Sequence, residues 1–211
     1  MAEPVRAVVF DVGGVIAYQD SDAADALLAA AGLPLTAAAV QEARDSEAMY
    51  GLWEDYSRGR MSPAAYWGAV LETLGLAATL ERTELLQAVH QATVWSVVDA
   101  EVLALVRRLR GRDGLRLGIL SNSAPEYERH IGAFVELFDV VHFSHRTGRR
   151  KPEAVAYQAA IEALGVPAEA AVFIDDKARN VAAAAEVGLQ ALHFHGIGPL
   201  LDDLDRLGLL G

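Results

Sequence analysis

Three aspartates, a lysine and a serine are the residues of this chain best suited to do chemistry, and each follows a short apolar run or a turn. Asp11 lies in "VVFDVGGVI" (residues 8–16). Ser121 opens "SNS" after "LRLGIL", and Lys151 sits in "RRKP". Asp175 and Asp176 follow "AAVFI" and lead into "DDKARN", which ends at Asn180. Carboxylates brought together repel one another unless a cation sits among them. Carboxylates with carbonyls and water are the donors that suit Mg²⁺. An aspartate is a weak nucleophile, yet it can attack phosphorus to form an aspartyl phosphate. Phosphate and nucleophile are then both anionic. Mg²⁺, the Lys151 ammonium, the Ser121 hydroxyl and amides at helix N-termini are groups able to neutralise them.

Those residues need elements that bring them to one place. Five apolar runs have the length of strands: residues 8–11, "LRLGIL" (115–120), "VVHFS" (140–144), "AAVFI" (170–174) and "LQALHF" (189–194). None alternates strictly, as expected of strands buried on both faces of a parallel sheet. Helical patterns lie between them. One over 99–112 begins with Asp99 as its N-cap and ends near Gly114, Pro152 precedes one over 153–164 that stops at Gly165, and a third over 177–187 stops at Gly188. Alternating strand and helix predict an α/β, doubly wound, parallel five-stranded sheet of Rossmann-like form. In such sheets ligands bind beyond the carboxyl ends of the strands. Asp11, Ser121, Lys151, Asp175 and Asp176 all fall on that edge.

Residues 18–98 read differently. Ser21, Thr36, Ser62-Pro63 and Thr79 each signal a helix start, the second running through "AAAVQEARDSEAMYGLWEDY", and no convincing strand is present. All three tryptophans lie there and all six phenylalanines lie outside it, which marks a change of unit. The division expected is an α/β core of 1–17 and 99–211 with an all-helical insert of 18–98.

A net charge of −11 argues against a nucleic-acid surface, since phosphate neutralisation supplies most of that affinity. The one dense basic cluster, "HRTGRRK" (145–151), reads as a solvated loop. With no cysteine there are no disulfides, thiolate metal sites or cysteine nucleophile. No signal-peptide pattern precedes Val5, and no run approaches about 18 apolar residues, so a soluble cytoplasmic protein without membrane partners is expected. Neither a P-loop nor a dinucleotide-binding glycine motif occurs.

The four motifs, in this order and each at a strand end, resemble the haloacid dehalogenase superfamily, whose members are mostly Mg²⁺-dependent phosphatases. "RKPEAVAYQAAIEALG" and "VFIDDKARNVAAAAEVG" are similar to its third and fourth motif segments, and the helical insert resembles the cap of one subgroup. A response-regulator receiver also has an acidic pair, but its lysine follows the acids and it has no large insert. The resemblance implies that Asp11 is the nucleophile and that Ser121, Asn122 and Lys151 bind the phosphoryl group. It implies Mg²⁺ on Asp11, Asp175, Asp176 and the Gly13 carbonyl, with Asn180 in support. The substrate implied is a small phosphorylated metabolite, and the protein a monomer or homodimer.

Gly13 departs from the family pattern. The usual residue there is a second aspartate that protonates the leaving group, help typically worth roughly 10²–10⁴-fold. Asp20 and Asp22 are the nearest substitutes, and both also read as helix-capping or solvated acids. Two alternatives share the motifs: a 2-haloacid dehalogenase, whose halide needs no proton but which does not usually keep the acidic pair, and a catalytically dead member that retains fold and metal. Specificity is expected in the insert, where Trp53, Tyr56, Arg58, Arg60 and Trp67 are candidates to face the edge. His90, His193 and His195 read as helix-face or strand-flanking residues.

Overall fold

The computed structural model describes residues 4–211. The chain opens with β1 (Ala7–Phe10) and a two-residue strand β2 (Ala17–Tyr18). Five helices follow: α1 (Ser21–Ala30), α2 (Ala37–Asp45), α3 (Glu47–Ser57), α4 (Pro63–Thr73) and α5 (Leu80–Thr93). A second short strand, β3 (Val97–Val98), pairs antiparallel with β2. Then come α6 (Ala100–Arg110), β4 (Arg116–Ser121), β5 (Val140–Phe143), α7 (Ser144–Thr147), α8 (Ala154–Leu164), β6 (Ala171–Asp175), α9 (Ala178–Val187), β7 (Gln190–His193) and α10 (Ile197–Arg206).

The five longer strands form one parallel sheet in the order β5-β4-β1-β6-β7. The central strands are buried throughout, which is why their sequence is continuous rather than alternating. The strand period still divides the faces. Val8, Phe10, Ile119 and Ile174 join one apolar cluster, and Ala7, Val9, Leu120 and Phe173 join another. The first cluster continues without a break into Leu28, Tyr56, Trp67 and Leu71 of the helical segment. Phe10 pairs with both Ile119 and Ile174, so Asp11, Ser121 and Asp175 emerge side by side at the order reversal, where β1 lies between β4 and β6.

Several starts agree with the sequence. The Thr36, Ser62, Thr79 and Asp99 side chains accept hydrogen bonds from first-turn amides, and Pro63 occupies the first helical position. Three expectations need correction. The N-cap of α1 is Asp20, which accepts from the Ala23 amide at 2.9 Å, rather than Ser21. The helix expected after Thr36 breaks at Ser46, whose backbone is extended and whose hydroxyl donates to the Ala43 carbonyl at 2.7 Å. The stretch expected to lack strands holds β2 and β3, too short for any periodicity to register. No helix among the described residues is long and apolar enough to cross a membrane.

Candidate active site

Asp11 directly follows β1, with its amide bonded to the Ile174 carbonyl at 2.9 Å. Its carboxylate is almost closed off from solvent. Oδ1 accepts the Val12 amide at 2.7 Å, and Oδ2 lies 2.9 Å from Lys151 Nζ. The same ammonium donates to Asp175 Oδ2 at 2.6 Å. Asp175 also accepts from the Lys177 amide at 2.8 Å and from Asn180 Nδ2 at 2.9 and 3.0 Å. Asn180 is fixed in turn by Tyr157, whose hydroxyl donates to its carbonyl at 2.9 Å. Asn122 and Lys151 form a reciprocal pair: the Asn122 amide donates to the Lys151 carbonyl at 2.8 Å and accepts from the Lys151 N–H at 2.9 Å. That pair pins the loop that carries the buried ammonium.

These contacts set the charges. Burial opposes the Lys151 ammonium, but Asp11 and Asp175 outweigh it and hold its pKa above the ordinary lysine value. Burial likewise opposes the Asp175 carboxylate, yet Lys151, the Lys177 amide and Asn180 keep its pKa low. Asp11 is pushed up to about 6, first by burial and then by Asp175 and Asp176, against the pull of Lys151. Asp176 is also raised, chiefly by burial.

Asp11, Asp175 and Asp176 each offer an oxygen within 4.8 Å of the others. Asp175 spends its lone pairs on protein donors, whereas Asp176 Oδ1 is buried with no hydrogen-bond partner among the described residues. An orphan carboxylate oxygen beside two further acids fits a hard divalent cation. Gly14 permits this approach. Its φ is +81°, and a Cβ there would lie 2.5 Å from Asp176 Oδ2.

Asp11 and Asp176 form the floor of a cavity of about 800 Å³. Gly13, Ser121, Asn122, Lys151 and Asn180 line the same space, so every residue the sequence singled out for catalysis lines it except Asp175, which lies just behind Lys151. The Ser121 hydroxyl makes no hydrogen bond to another described residue and faces this cavity. Asp20 and Asp22 do not line it: Asp20 caps α1 and Asp22 is exposed.

The far wall comes mostly from the helical segment, with Tyr127 from the core, and differs from the one expected. Of the five residues named there, only Trp53 lines the cavity. Tyr56 and Trp67 are buried one layer behind, Tyr56 donating to Glu126. Arg58 pairs with Glu153, and the exposed Arg60 pairs with Asp55. The wall instead presents Arg44, Tyr50, Tyr66, His90, Trp95 and Tyr127. Arg44 donates to Tyr127 Oη at 2.6 Å, Tyr66 Oη at 3.3 Å and Gln41 Oε1 at 3.2 Å, and its guanidinium lies 5.5 Å from the rings of Trp53 and Trp67. No carboxylate pairs with it among the described residues. The Tyr127 hydroxyl is pushed up to about 12, mainly by burial. Burial, reinforced by the Arg44 charge, keeps His90 neutral, and its Nε2 is buried without a partner.

The basic cluster at 145–151 is also not the solvated loop expected. Arg150 is buried and paired with Glu54, Lys151 is in the site, and Arg146 and His145 both meet Glu128. Only a position-by-position contact pattern separates these cations; their composition alone does not.

The sequence profile of the haloacid dehalogenase-like hydrolases matches residues 5–188. The chain is 30% identical over 144 residues to the sesquiterpene phosphatase astK of Aspergillus oryzae, covering 67% of this chain and 71% of that protein. It is 30% identical over 215 residues to the phosphatase MT3486 of Mycobacterium tuberculosis, covering 98% and 96%. In fold it is similar to a haloacid dehalogenase family enzyme of Bacteroides thetaiotaomicron, with a TM-score of 0.71 at 19% identity over 95% of this chain and 99% of that one. Another structure of that enzyme is a magnesium complex.

Proposed function

The chain belongs to the haloacid dehalogenase-like hydrolases, and within that family we propose that it is a Mg²⁺-dependent phosphatase of small phosphorylated metabolites, working through an aspartyl phosphate on Asp11. The observation that carries the reading is the Asp11 carboxylate, held by Lys151 at 2.9 Å beside the unpartnered oxygen of Asp176. Both curated relatives described above are phosphatases, which supports the same reaction class.

The Val12 amide and Lys151 fix the Asp11 carboxylate at the cavity floor. One of its oxygens attacks phosphorus, and the ester P–O bond breaks as the new O–P bond forms. Lys151 and the Ser121 hydroxyl meet the non-bridging oxygens on which charge accumulates. Asp175 and Asn180 touch no substrate; they hold Lys151 in place. Asp11, Asp176 and the Gly13 carbonyl, with Asp175 adjacent, would hold Mg²⁺, which would supply the remaining neutralisation of phosphate charge. Water then cleaves the aspartyl phosphate and frees Asp11. The aromatic wall around Arg44 favours a substrate whose organic part is flat or apolar and carries an acceptor for the guanidinium.

The test is a panel of phosphate esters assayed with Mg²⁺ and with chelator, on the parent and on Asp11→Asn. Hydrolysis that needs Mg²⁺ and falls by at least ~10³-fold in the variant is expected. Full activity in chelator removes the metal, and an active Asp11→Asn removes the nucleophile.

A further inference from the structure

Gly13 is not merely a position that lacks an acid. A Cβ built on it would lie 3.0 Å from Trp95 Nε1, with two more indole atoms at 3.7 and 3.8 Å. The indole therefore crowds the place where an aspartate side chain at position 13 would begin. The ring has little freedom to withdraw, because it packs edge-on against Tyr127, with centroids 4.8 Å apart, and tilted against Phe143 at 6.3 Å.

Two further observations say that the indole is there for what it faces. Trp95 has φ +54°, the only positive φ among the described residues other than glycine. The left-handed conformation costs a non-glycine residue roughly 1–2 kcal/mol, and glycine or asparagine would fill the same turn with less strain. The residue is 4% exposed and lines the catalytic cavity, and its N–H has no hydrogen-bond partner among the described residues and is not fully buried, so it is open to that cavity. A tryptophan whose ring is packed and whose N–H is open offers a donor to what enters there.

Building on the phosphatase reading above, we infer that the Trp95 indole N–H replaces the missing acid as a hydrogen-bond donor to the leaving-group oxygen, and that the site is thereby selective for phosphoanhydrides over alkyl phosphates. An indole donates a hydrogen bond but does not give up its proton at neutral pH. The leaving oxygen receives stabilisation without protonation, so it must be stable as an anion. In the first step the Asp11 O–P bond forms and the P–O bond to the leaving group breaks, with the electron pair going to the departing oxygen. A carboxylate leaves from an acyl phosphate, and a phosphate monoester leaves from a diphosphate. Neither needs a proton. In the second step water attacks phosphorus, Asp11 departs as a carboxylate, and one proton of that water passes to a phosphoryl oxygen while the other stays, so the product is dihydrogen phosphate, which loses a proton to solvent at neutral pH. No side chain at position 13 is needed for either balance.

The experiment compares acetyl phosphate, phenyl diphosphate, a set of substituted phenyl phosphates and butyl phosphate on the parent and on Trp95→Phe, which keeps a ring and deletes the N–H. The parent should cleave the two phosphoanhydrides at least ~10²-fold faster than butyl phosphate. Acetyl phosphate and phenyl diphosphate separate the two anhydride sources, and rapid cleavage of either one supports the proposal. Trp95→Phe should lower kcat by ~10-fold or more and steepen the dependence on leaving-group pKa, with Mg²⁺ affinity and inhibition by inorganic phosphate unchanged. Butyl phosphate cleaved as fast as acetyl phosphate by the parent overturns the selectivity without any variant. An unchanged slope in a folded Trp95→Phe overturns the indole role. Both results leave Asp11 and the phosphatase reading standing, whereas a parent inactive on every phosphate removes that reading first. The double variant Gly13→Asp/Trp95→Gly, which clears the indole and relieves the turn, should gain selectively on butyl phosphate over Gly13→Asp alone. No gain in that pair means that the indole does not occupy the acid's place.

Discussion

The floor and the far wall of the cavity hold their charges in opposite ways. On the floor the buried cation meets carboxylates: Lys151 contacts Asp11 and Asp175, and Asp175 is saturated further by the Lys177 backbone amide and Asn180. On the wall, Arg44 is held by two tyrosine hydroxyls, a glutamine and two indole faces, with no carboxylate among the described residues. A buried ion pair costs desolvation and returns it only with full hydrogen bonding, so the floor is rigid and intolerant of partial removal. A cation solvated by neutral groups keeps its charge available to an incoming anion. On the proposed phosphatase reading, the contrast separates a fixed reaction centre from a surface that would recognise the substrate.

Removing Lys151 should break the comparison most severely. Lys151→Ala leaves Asp11 and Asp175 buried without their common cation, and turnover should fall by ~10³-fold. Arg150→Ala, one residue away, removes a buried guanidinium whose partner Glu54 is partly exposed, so it should lower stability by about 2 kcal/mol, mostly through lost packing, while the folded fraction keeps its turnover. Arg149→Ala, on an exposed residue, should change neither. Steady-state kinetics with parallel thermal melts distinguish the three; equal losses in turnover would return the cluster to a single electrostatic role.

A smaller effect is expected at Gly14. A methyl group there collides with Asp176 Oδ2 and forces a positive φ on alanine. Gly14→Ala should weaken Mg²⁺ binding by ~10-fold or more, measured by calorimetry on the full chain. Unaltered affinity would mean that Asp176 is not a ligand. On the wall, Arg44→Met should raise KM by ~10-fold and leave kcat within about 3-fold, the signature of binding lost equally from ground and transition states. A fall in kcat with KM constant would move Arg44 into the reaction centre and erase the distinction between floor and wall.

The same contrast governs what could be read in advance. Strand-end chemistry is local in sequence: Asp11, Ser121 and Asp175 directly follow or end apolar runs, and a parallel sheet carries all such ends to one edge. The wall depends on packing angles. Arg44 and Tyr127 are 83 residues apart and meet only because α2 stops at Ser46 and the chain after Ser121 runs through tight turns over Pro125–Ala133. Tyr56 and Trp67 carry the aromatic signal that suggested a binding surface, yet they lie in the core behind it. Trp95 gave no signal, because its φ of +54° contradicts the ordinary preference of its residue type. The glycine at 13 was legible as a loss; that an indole fills its place was not.

The smallest effect lies at the opposite end of β4 from Ser121 and serves as the control for both regions. Asp139 accepts the Leu117 amide at 2.8 Å and Arg110 Nη1 at 2.7 Å. The Leu117 amide and Arg110, opposed by partial burial, hold its carboxyl below the ordinary value of 3.8. A folded pKa below the unfolded one means that the native state binds the proton less tightly than the unfolded chain. The stabilisation is therefore complete above pH 5 or so and is lost as pH falls through the unfolded and then the folded pKa. The Arg110 pair is partly exposed and screened, so the hydrogen bond to the amide carries most of the value. Asp139→Asn should lower stability by about 1 kcal/mol at pH 7. That difference should shrink as pH falls below 3.8 and Asp139 itself becomes protonated, and kcat/KM should stay at the parent value throughout. Urea melts at pH 7 and pH 3 measure the first, and the phosphate-ester assay measures the second. A difference that stays constant with pH would assign the loss to hydrogen-bond geometry instead of charge. A fall in activity without a fall in stability would mean that β4 transmits disturbance from this end to Ser121, and the floor would then be less insulated than its saturated hydrogen bonding implies.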